Sequence, residues 1–501
     1  MTSPSSSPKR LRGGRWPAAV LFAFLAATAA AQLPPDHRAL AASTPYAAVE
    51  TFLGSIHGRP GIEVSVEGTT AQGRKLFLVH VRRGAAPSFR ILFYAQQHGD
   101  EVSGKDALLY LLHDIAARPD TLPNDIDLWV MPLLNPDGGE AFTRRNSAGA
   151  DLNRDHMLLE QPETQTLHRV ARRIRPHLAV DIHEFTRDSE ERRARGWIAW
   201  PDITMDGLNN PLLDPGVIAA AQRWVEDAAE PLAAAGHTYA RYTVGGLPPD
   251  EEQRHSAPDI DGALNGIGMY GGLSFIVEVA VRRAEGAPQG DLGKRVDACL
   301  VLLRRFLHGA GRRSADLAAV EASWRRPLPA FIPTNYFWVN PGMKVTEFPV
   351  LEFSTGKVLR IPTANIMTTM ATKTAVPAPL GYAVEPAAAS AFAALCERHG
   401  IPHEVLGAPR PVSVETCTLV RVEEEFDDTY ARYGGRTIVR RGPAGARELA
   451  AGSLWVPLAG EAAVRAALVL EPTALYSLYQ YAPYRALVGA DGAIPVLRVV
   501  R

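Results

Sequence analysis

The sequence has little of several features that would assign it to other classes of protein. It contains only three cysteines in 501 residues, Cys299, Cys396 and Cys417, and none has the spacing of a cysteine-based zinc site. Its formal net charge of -1 argues against a binding partner such as nucleic acid or an anionic membrane. The composition, 46% hydrophobic and 21% charged, is that of a globular protein with a sizeable core.

The first 31 residues have the layout of a secretory signal peptide. Four basic residues within positions 9–15 precede an apolar run over 16–27, and Ala29-Ala30-Ala31 provides a cleavage site. The alternative is a transmembrane anchor, but the run is shorter than the ~20 residues needed to cross a bilayer. We therefore expect cleavage after Ala31, export to the periplasm or the exterior, and no transmembrane segment in the mature chain.

Export would permit disulfides, and Cys396 with Cys417 is the expected pair because both fall in the C-terminal region. Cys299 lies in an apolar helical pattern and is expected to be a buried core thiol. The cysteines are not expected to carry the chemistry.

Strand-like and helix-like segments alternate in the first two thirds of the chain. This alternation predicts an α/β fold with a mixed, mostly parallel sheet flanked by helices. Strands are predicted at 62–68, 75–81, 90–95, 126–131, 178–182 and 273–281, and helices at 46–57, 101–117, 162–174, 215–235 and 289–308. Two loops rich in turn residues, 135–156 and 243–272, interrupt the pattern.

From about residue 315 the sequence becomes richer in Pro, Thr and β-branched residues, which predicts a smaller β-rich accessory domain over 315–501. It contains one clear helix pattern, at 387–399, and short strands near 412–421, 436–440 and 453–457. The predicted organisation is a signal peptide (1–31), a lead-in segment (32–44), an α/β domain (45–314) and this accessory domain. Whether the accessory domain binds cell-wall polymer, restricts access to the site or only stabilises the protein is open.

Metal-ligating side chains follow two of the predicted strands. His98-Gly99-Asp100-Glu101 is an H-x-x-E unit on a strand-to-helix loop, and His183 follows Asp181-Ile182 at the end of a later strand. Because ligand sites of such sheets form beyond the carboxyl ends of the strands, we expect these residues to meet. Two histidines and one carboxylate leave a fourth position for water, as a catalytic zinc ion requires.

Glu278 is anomalous because it interrupts the apolar segment 274–280. A lone charge in such a strand is costly unless it is paired, ligated or set into a polar site. The alternative is an outward-facing residue of an edge strand.

Three further motifs complete the pattern. Asn135-Pro136-Asp137-Gly138 is followed by Arg144-Arg145-Asn146 and by Asp151-Leu152-Asn153-Arg154. With H-x-x-E, the distant His and the late Glu, these six elements stand in the order of the zinc carboxypeptidase family, which the sequence resembles over about residues 44–310.

The resemblance implies a metal centre and a base. Its ligands to one Zn²⁺ would be His98, Glu101 and His183, and Asp151 would accept a hydrogen bond from the first histidine. Glu278 would be the general base that takes a proton from metal-activated water and passes it to the leaving amine.

The resemblance also implies a substrate with a free carboxylate. Asn153 and Arg154 would grip that carboxylate, since a guanidinium can meet both of its oxygens. Arg144 would polarise the scissile carbonyl, and its neighbour Arg145 is the alternative for a substrate contact. The implied activity is hydrolysis of the C-terminal peptide bond of peptides.

The sequence departs from the family pattern at the loop that would close over the substrate. The window 254–260 contains no Tyr, and Tyr242 and Tyr270 are both candidates at other distances. Asp100 and Glu184 also alter the charge expected near the metal, so the substrate preference is open.

Two other functions fit the motifs. A zinc amidohydrolase acting on peptidoglycan stem peptides or N-acyl amino acids would share H-x-x-E, D-x-N-R and the later His. An inactive binding protein on the same scaffold would be expected to lack a ligand or the base, and none is missing. The oligomeric state is not predicted by any feature of the sequence.

Overall fold

Eight strands form the central sheet of the computed structural model, which describes Leu33 and residues 36–282, 290–423 and 435–501. The predicted signal peptide, residues 1–31, lies outside these residues. The strands of this sheet are β1 (Ile62–Thr69), β2 (Lys75–Arg82), β3 (Phe89–Ala95), β4 (Ile126–Met131), β5 (Leu178–Thr186), β6 (Ile203–Gly207), β7 (Tyr239–Arg241) and β8 (Leu273–Val281). Their order across the sheet is β1-β2-β4-β3-β5-β8-β6-β7.

The sheet is mixed, and its centre is parallel. Strands β4, β3, β5 and β8 run parallel to one another. On one side β1 and β2 pair antiparallel with their neighbours, and on the other β6 pairs antiparallel with β8 but parallel with β7. All nine residues of β8 are buried, as expected for an apolar strand covered on both faces. The predicted mixed α/β fold is confirmed.

Helices lie close to the predicted positions. In this part of the chain they are Tyr46–Ile56, Ser103–Ala117, Pro136–Ala141, Pro162–Ile174, Glu190–Ala194, Pro215–Asp227, Ala229–Ala234, Ala263–Gly268, Leu292–His308 and Ala310–Ser323. The helix predicted over 215–235 is two helices, because Pro231 has no N–H with which to continue the hydrogen-bond ladder of the first one. The helix predicted to be the last of this part is followed directly by Ala310–Ser323.

The C-terminal region is built on a second sheet, which is antiparallel and packs with its own helices around a second core, to which Met157, Leu158 and Ile260 also contribute. The strands of this sheet, in spatial order, are Glu404–Val405, Leu454–Pro457, Gly381–Val384, Val496–Val500, Arg410–Glu423 and Arg436–Leu449. Its helices are Pro386–His399, Ala463–Leu470 and Ala482–Arg485. Phe392, Leu454 and Tyr481 are fully buried in its core.

Smaller sheets join this region to the first. Strand Thr346–Glu352 pairs with Val358–Thr363 and with Trp197–Ala199, and Ile366–Met367 pairs with Gln253–Arg254, which also pairs with Val244–Gly245. Phe331–Val339 and Thr369–Pro377 form a two-stranded ribbon. The domain boundary predicted between residues 314 and 315 falls inside the helix Ala310–Ser323, so the domain limits stay a prediction.

The expected disulfide between Cys396 and Cys417 is wrong, because both are free thiols, as is Cys299. The helix that carries Cys396 packs on Gly381–Val384 and Leu454–Pro457. The strand that carries Cys417 lies two positions away from Gly381–Val384 in the sheet, about 9–10 Å sideways. That offset exceeds the roughly 7 Å that a disulfide can span between Cα atoms. Burial raises the pKa of both thiols to about 12, so they act as small apolar side chains.

In the ranges that the structure describes, every helix is too short or too polar to cross a bilayer.

Candidate active site

The three predicted metal ligands meet at the carboxyl ends of two neighbouring strands. Strand β3 ends at Ala95, and the turn that follows it carries His98 and Glu101 before the next helix begins at Ser103. Strand β5 pairs with β3 in parallel and carries His183, which lies inside the strand rather than after it because β5 continues to Thr186.

The turn between β3 and its helix depends on a glycine. A Cβ on Gly99 would collide with the backbone of Gly138, which lies in the short helix Pro136–Ala141 of the N-P-D-G motif. The side chain of Asn135 caps that helix by accepting a hydrogen bond from the Gly138 N–H. The close contact between the two motifs explains why glycine stands between the two ligands of H-x-x-E.

The geometry of the cluster fits one zinc ion. One atom from each of His98, Glu101 and His183 lies within 4.8 Å of the others, and all three residues are buried. His98 Nδ1 lies 2.7 Å from Glu101 Oε1, His183 Nδ1 lies 2.8 Å from Glu101 Oε2, and the two Nδ1 atoms are 3.1 Å apart. Two nitrogens on a tetrahedral zinc ion lie about 3.3 Å apart. Burial alone would raise the pKa of Glu101, but the two histidines lower it below its usual range, so its carboxylate is ionised.

Each histidine of the cluster is held by a buried aspartate on its outer nitrogen. His98 Nε2 lies 3.0 Å from Asp151 Oδ1, which is the contact that the family resemblance implies. His183 Nε2 lies 2.7 Å from Asp181 Oδ2. With a proton on each Nε2, both Nδ1 lone pairs point to the shared site, which is the arrangement a metal ion requires.

The role of Asp181 was missed in the sequence. It is fully buried, and its Oδ2 also accepts a hydrogen bond of 2.7 Å from Gln97 Nε2. The available signal was the period of the strand, because residues 181 and 183 must point to the same face. A charged residue two positions before a metal-ligating histidine, within an apolar strand, is a candidate partner for it.

Glu278 faces the cluster from the next strand. The register of β8 on β5 pairs Glu278 with His183, so both side chains project from the same face of the sheet. Glu278 lines the same cavity as His98 and Glu101. Burial raises its pKa to about 7, with Glu101 adding to the rise and His183 opposing it. A carboxyl group that titrates near neutrality can both accept and return a proton.

Arg144 lies between the metal cluster and Asp151. Its Nε donates to Asp151 Oδ2 at 3.0 Å, and its Nη1 lies 3.4 Å from Glu101 Oε1. Arg145 is not among the residues lining the cavity in the described chain, and its Nη1 donates to the Gly149 carbonyl at 3.2 Å. A substrate contact for Arg145 therefore has no support in the geometry.

Asn153 and Arg154 both line the cavity. The Asn153 N–H donates to Asp151 Oδ1, and its side-chain oxygen accepts from the Ala263 N–H at 2.8 Å. The Arg154 guanidinium donates to the Asn153 carbonyl at 2.6 Å. The 3₁₀ turn Leu152–Arg154 thus presents an amide and a guanidinium side by side.

Two carboxyl groups that the sequence analysis left without a role also line the cavity. Asp259 and Asp261 lie near Arg154, and burial together with the charge of Asp259 holds the pKa of Asp261 well above its usual value. The raised pKa favours the neutral form of Asp261 and so reduces its share in offsetting the positive charge of Arg154. Glu184 pairs with the buried Arg295 and accepts from the Ser103 N–H at 2.8 Å, so its charge is neutralised.

The cavity has a volume of about 720 Å³ and draws on both parts of the chain. Tyr242 lines it, whereas Tyr270 is not among its described lining residues and bonds through its OH to His168 Nδ1 at 2.7 Å. The C-terminal region contributes Gly435, Tyr476 and Gln480. No feature of the sequence indicated that Tyr476 would reach this site.

Behind the cluster, a chain of buried polar groups leads away from Asp181. Gln97 donates to Asp181 through Nε2, and its Oε1 lies 2.8 Å from His156 Nε2. His156 Nδ1 lies 2.9 Å from His168 Nε2, and His168 continues to Tyr270. Burial lowers the pKa of both histidines, that of His156 to about 3, so both are neutral. The chain holds Gln97 against Asp181 without adding a charge.

Comparison with known proteins finds similarity to carboxypeptidases. A family model described as zinc carboxypeptidase matches residues 50–186. Carboxypeptidase 2 of Trichophyton tonsurans is 25% identical over 46% of this chain and 43% of its own length. Carboxypeptidase SOL1 of Arabidopsis thaliana is 30% identical over 27% of this chain and 33% of its own. A solved metallo-carboxypeptidase from Pseudomonas aeruginosa is 25% identical, with a TM-score of 0.42 over 56% of this chain and 71% of that one.

The matched region spans less than half of the length of these two curated relatives. The residues matched by the family model, 50–186, include every predicted site residue except Glu278. The prediction of one zinc ion agrees with the family and with the His-Glu-His cluster. Residues 50–186 are thus similar to the zinc carboxypeptidase family, the family that the sequence motifs resemble.

Proposed function

We propose that this protein is a zinc-dependent metallocarboxypeptidase that hydrolyses the C-terminal peptide bond of peptides. The observation that carries the proposal is the arrangement around one cavity: the His-Glu-His cluster, Glu278 facing it, and Asn153 and Arg154 on the same wall. A hydrolytic centre beside a carboxylate-binding pair selects amide bonds next to a free chain terminus. The family match favours this activity over the amidohydrolase alternative.

The metal ligands would be His98, Glu101 and His183. A bound zinc ion would activate water and polarise the scissile carbonyl. Asp151 and Asp181 would keep both histidines in the tautomer that binds through Nδ1.

Glu278 would act as the general base. Its carboxyl group lies in a buried position facing the ligands, and its pKa of about 7 suits a group that accepts a proton from water and donates it to the departing amine. Arg144, which is oriented by Asp151, would stabilise negative charge on the carbonyl oxygen.

Asn153 and Arg154 would bind the terminal carboxylate of the substrate. A planar guanidinium can donate two parallel hydrogen bonds to it, which fixes the scissile bond relative to the cluster. Asp259 lines the same cavity, and its carboxylate would limit the net positive charge there, so that the bound carboxylate can also be released.

The C-terminal region would limit the size of the substrates that can enter the metal cavity. Tyr476 and Gln480 line the same cavity as the metal ligands, which supports a role in access over cell-wall binding elsewhere on that region. Replacing Tyr476 with Ala should then raise kcat/KM for peptides with bulky residues near the terminus more than for small ones. Equal changes for both peptide sets would contradict this role.

We further propose that the protein is exported with its first 31 residues removed, on the strength of the basic, apolar and small-residue pattern there. N-terminal sequencing of protein recovered from the periplasm or the medium should begin at Gln32. Recovery of the full-length chain from the cytoplasm alone would refute export.

The activity is tested with one mixed peptide library, read by mass spectrometry, on the zinc-loaded protein and on Glu278→Gln. We expect stepwise loss of single C-terminal residues, and a loss of activity of about 10²–10⁴-fold in the variant with zinc still bound. Peptides with an amidated C-terminus are the matched control and should not be cleaved. Cleavage of muropeptides or N-acyl amino acids in preference to the library would refute the proposal in favour of an amidohydrolase.

A further inference from the structure

A second cavity lies where the C-terminal region packs against the first part of the chain. Its volume is about 170 Å³. Its walls include Tyr270 and Trp324 from the first part and helix Ala463–Leu470 from the C-terminal region. Four arginines and only two carboxylates line it: Arg172, Arg175, Arg326, Arg465, Asp214 and Glu461.

The two carboxylates are used by two of the arginines. Glu461 lies 3.2 Å from Arg175, and Asp214 lies 3.6 Å from Arg326. Within the described residues, neither Arg172 nor Arg465 has a carboxylate at ion-pair distance. The cavity therefore has an excess of positive charge carried by these two side chains.

Arg172 and Arg465 converge on the same glycine. The Arg465 Nη2 donates to the Gly400 carbonyl at 2.9 Å, and a Cβ on Gly400 would collide with Arg172 Nη1. Arg172 Nη1 also donates to the Glu397 carbonyl at 3.2 Å. Both carbonyls lie at the C-terminal end of helix Pro386–His399, which offers about half of a negative charge. That end accounts for part of the arrangement but does not balance two full positive charges.

Hydrogen-bond donors at the cavity are left without acceptors. Arg465 Nε and Trp324 Nε1 are buried and have no partner among the described residues. Leaving a buried donor unsatisfied is unfavourable, and a charged one is worse. Burial lowers the pKa of Arg465, and repulsion from the charges of Arg172 and Arg175 lowers it further, while Tyr270 and Glu461 oppose the fall.

Aromatic rings complete the walls. Arg175 stacks over the Trp324 ring at 4.5 Å, and Arg465 lies over the Tyr270 ring at 5.2 Å. These contacts hold the guanidinium planes in place, so their N–H groups are pre-oriented.

We propose that this cavity binds a small oxyanion, a phosphate or carboxylate group, through Arg172 and Arg465. The anion bridges the two parts of the chain, since Arg172 belongs to helix Pro162–Ile174 and Arg465 to helix Ala463–Leu470. It replaces the repulsion between their guanidinium groups with charge-assisted hydrogen bonds. The site is distinct from the metal cluster and does not depend on the proposed hydrolytic activity.

The test is isothermal titration of the full chain with inorganic phosphate and, separately, with acetate, at constant ionic strength set by NaCl. For at least one of the two anions we expect a saturable site that persists in Arg154→Gln. Arg465→Gln and Arg172→Gln should each weaken binding by about tenfold or more, as the loss of a charged hydrogen bond implies. Binding of phosphate would identify the ligand group as a phosphate, and binding of acetate would identify it as a carboxylate.

Arg154→Gln is the control, because Arg154 lines the metal cavity and could bind an anion there. It should leave the titrated site unchanged. The melting temperature should also rise with the anion in the unaltered protein and in Arg154→Gln, and not in the other two variants. Loss of binding in Arg154→Gln with retention in both other variants would overturn the proposal, as would the absence of binding by either anion.

Discussion

The contact between Asp181 and His183 predicts a specific loss of metal affinity. In Asp181→Asn the side chain keeps its shape, and its remaining oxygen can still accept from His183 Nε2. The negative charge that raises the basicity of the histidine is lost, although an amide oxygen in the place of Oδ2 can keep both of its acceptor contacts, each at 2.7 Å, with His183 and with Gln97. The amide nitrogen of the new residue would also face a buried space where the second carboxylate oxygen has no described partner.

The expected magnitude follows from the role of such partners. Loss of a carboxylate behind a metal-ligating histidine weakens metal binding by about 10–100-fold. This corresponds to about 1.4–2.7 kcal/mol of binding free energy. Asp181 is fully buried, so little screening by solvent reduces the effect.

The assay is competition for zinc against a chromophoric chelator, at a pH where the unaltered protein is saturated. Asp316→Asn is the matched control, because Asp316 is equally buried and accepts from Trp224 Nε1 at 3.0 Å, far from the cluster along the chain. It should leave the zinc affinity unchanged. A zinc affinity of Asp181→Asn within about twofold of the unaltered protein would refute the role of Asp181 in positioning and polarising His183.

Three further predictions concern the site and the fold. Arg154→Lys keeps the positive charge but removes the two parallel N–H donors of the guanidinium, so KM for peptides with a free C-terminal carboxylate should rise about tenfold, with a smaller change in kcat. An unchanged KM would contradict carboxylate binding by Arg154. Removal of zinc by a chelator should abolish hydrolysis, and one equivalent of Zn²⁺ should restore it; activity that persists at a metal content near zero, measured by atomic absorption, would exclude a zinc enzyme. Arg498 is fully buried and pairs with Glu471 at 3.1 Å, so Arg498→Met should lower the free energy of unfolding in urea by about 3–5 kcal/mol; a loss below about 1 kcal/mol would show that the pair is not needed.

The central strands were predictable because their apolar side chains are buried on both faces. Strands β4 and β8 begin and end at the predicted residues, and the ends of β3 are displaced by one residue at most. Helix limits were less well predicted where one residue breaks the ladder, as Pro231 does within 215–235. The expected pairing of Cys396 with Cys417 was wrong. Two cysteines in the same region of the sequence can lie on a helix and a strand that are not adjacent in the fold.

The metal cluster was predictable from the sequence by itself. His98, Glu101 and His183 lie at or just beyond the ends of strands that apolar patterning marks, and Glu278 was marked by its charge within an apolar strand. The H-x-x-E unit alone is a weak signal, and the order of the other motifs, which resembles the zinc carboxypeptidase family, supplied the rest of the prediction. The carboxyl ends of parallel neighbours share one edge, which agrees with it.

Only the tertiary structure decided which distant side chains join that site or form another. Tyr476 of the C-terminal region lines the metal cavity, and Arg172 meets Arg465 at Gly400. Both contacts arise because the C-terminal region packs against the first part of the chain. Neither contact produces a periodic pattern in the sequence. Asp181 stands between the two cases. Its face of the strand was determined by the sequence, whereas its bond to Gln97 depends on a turn that follows a neighbouring strand.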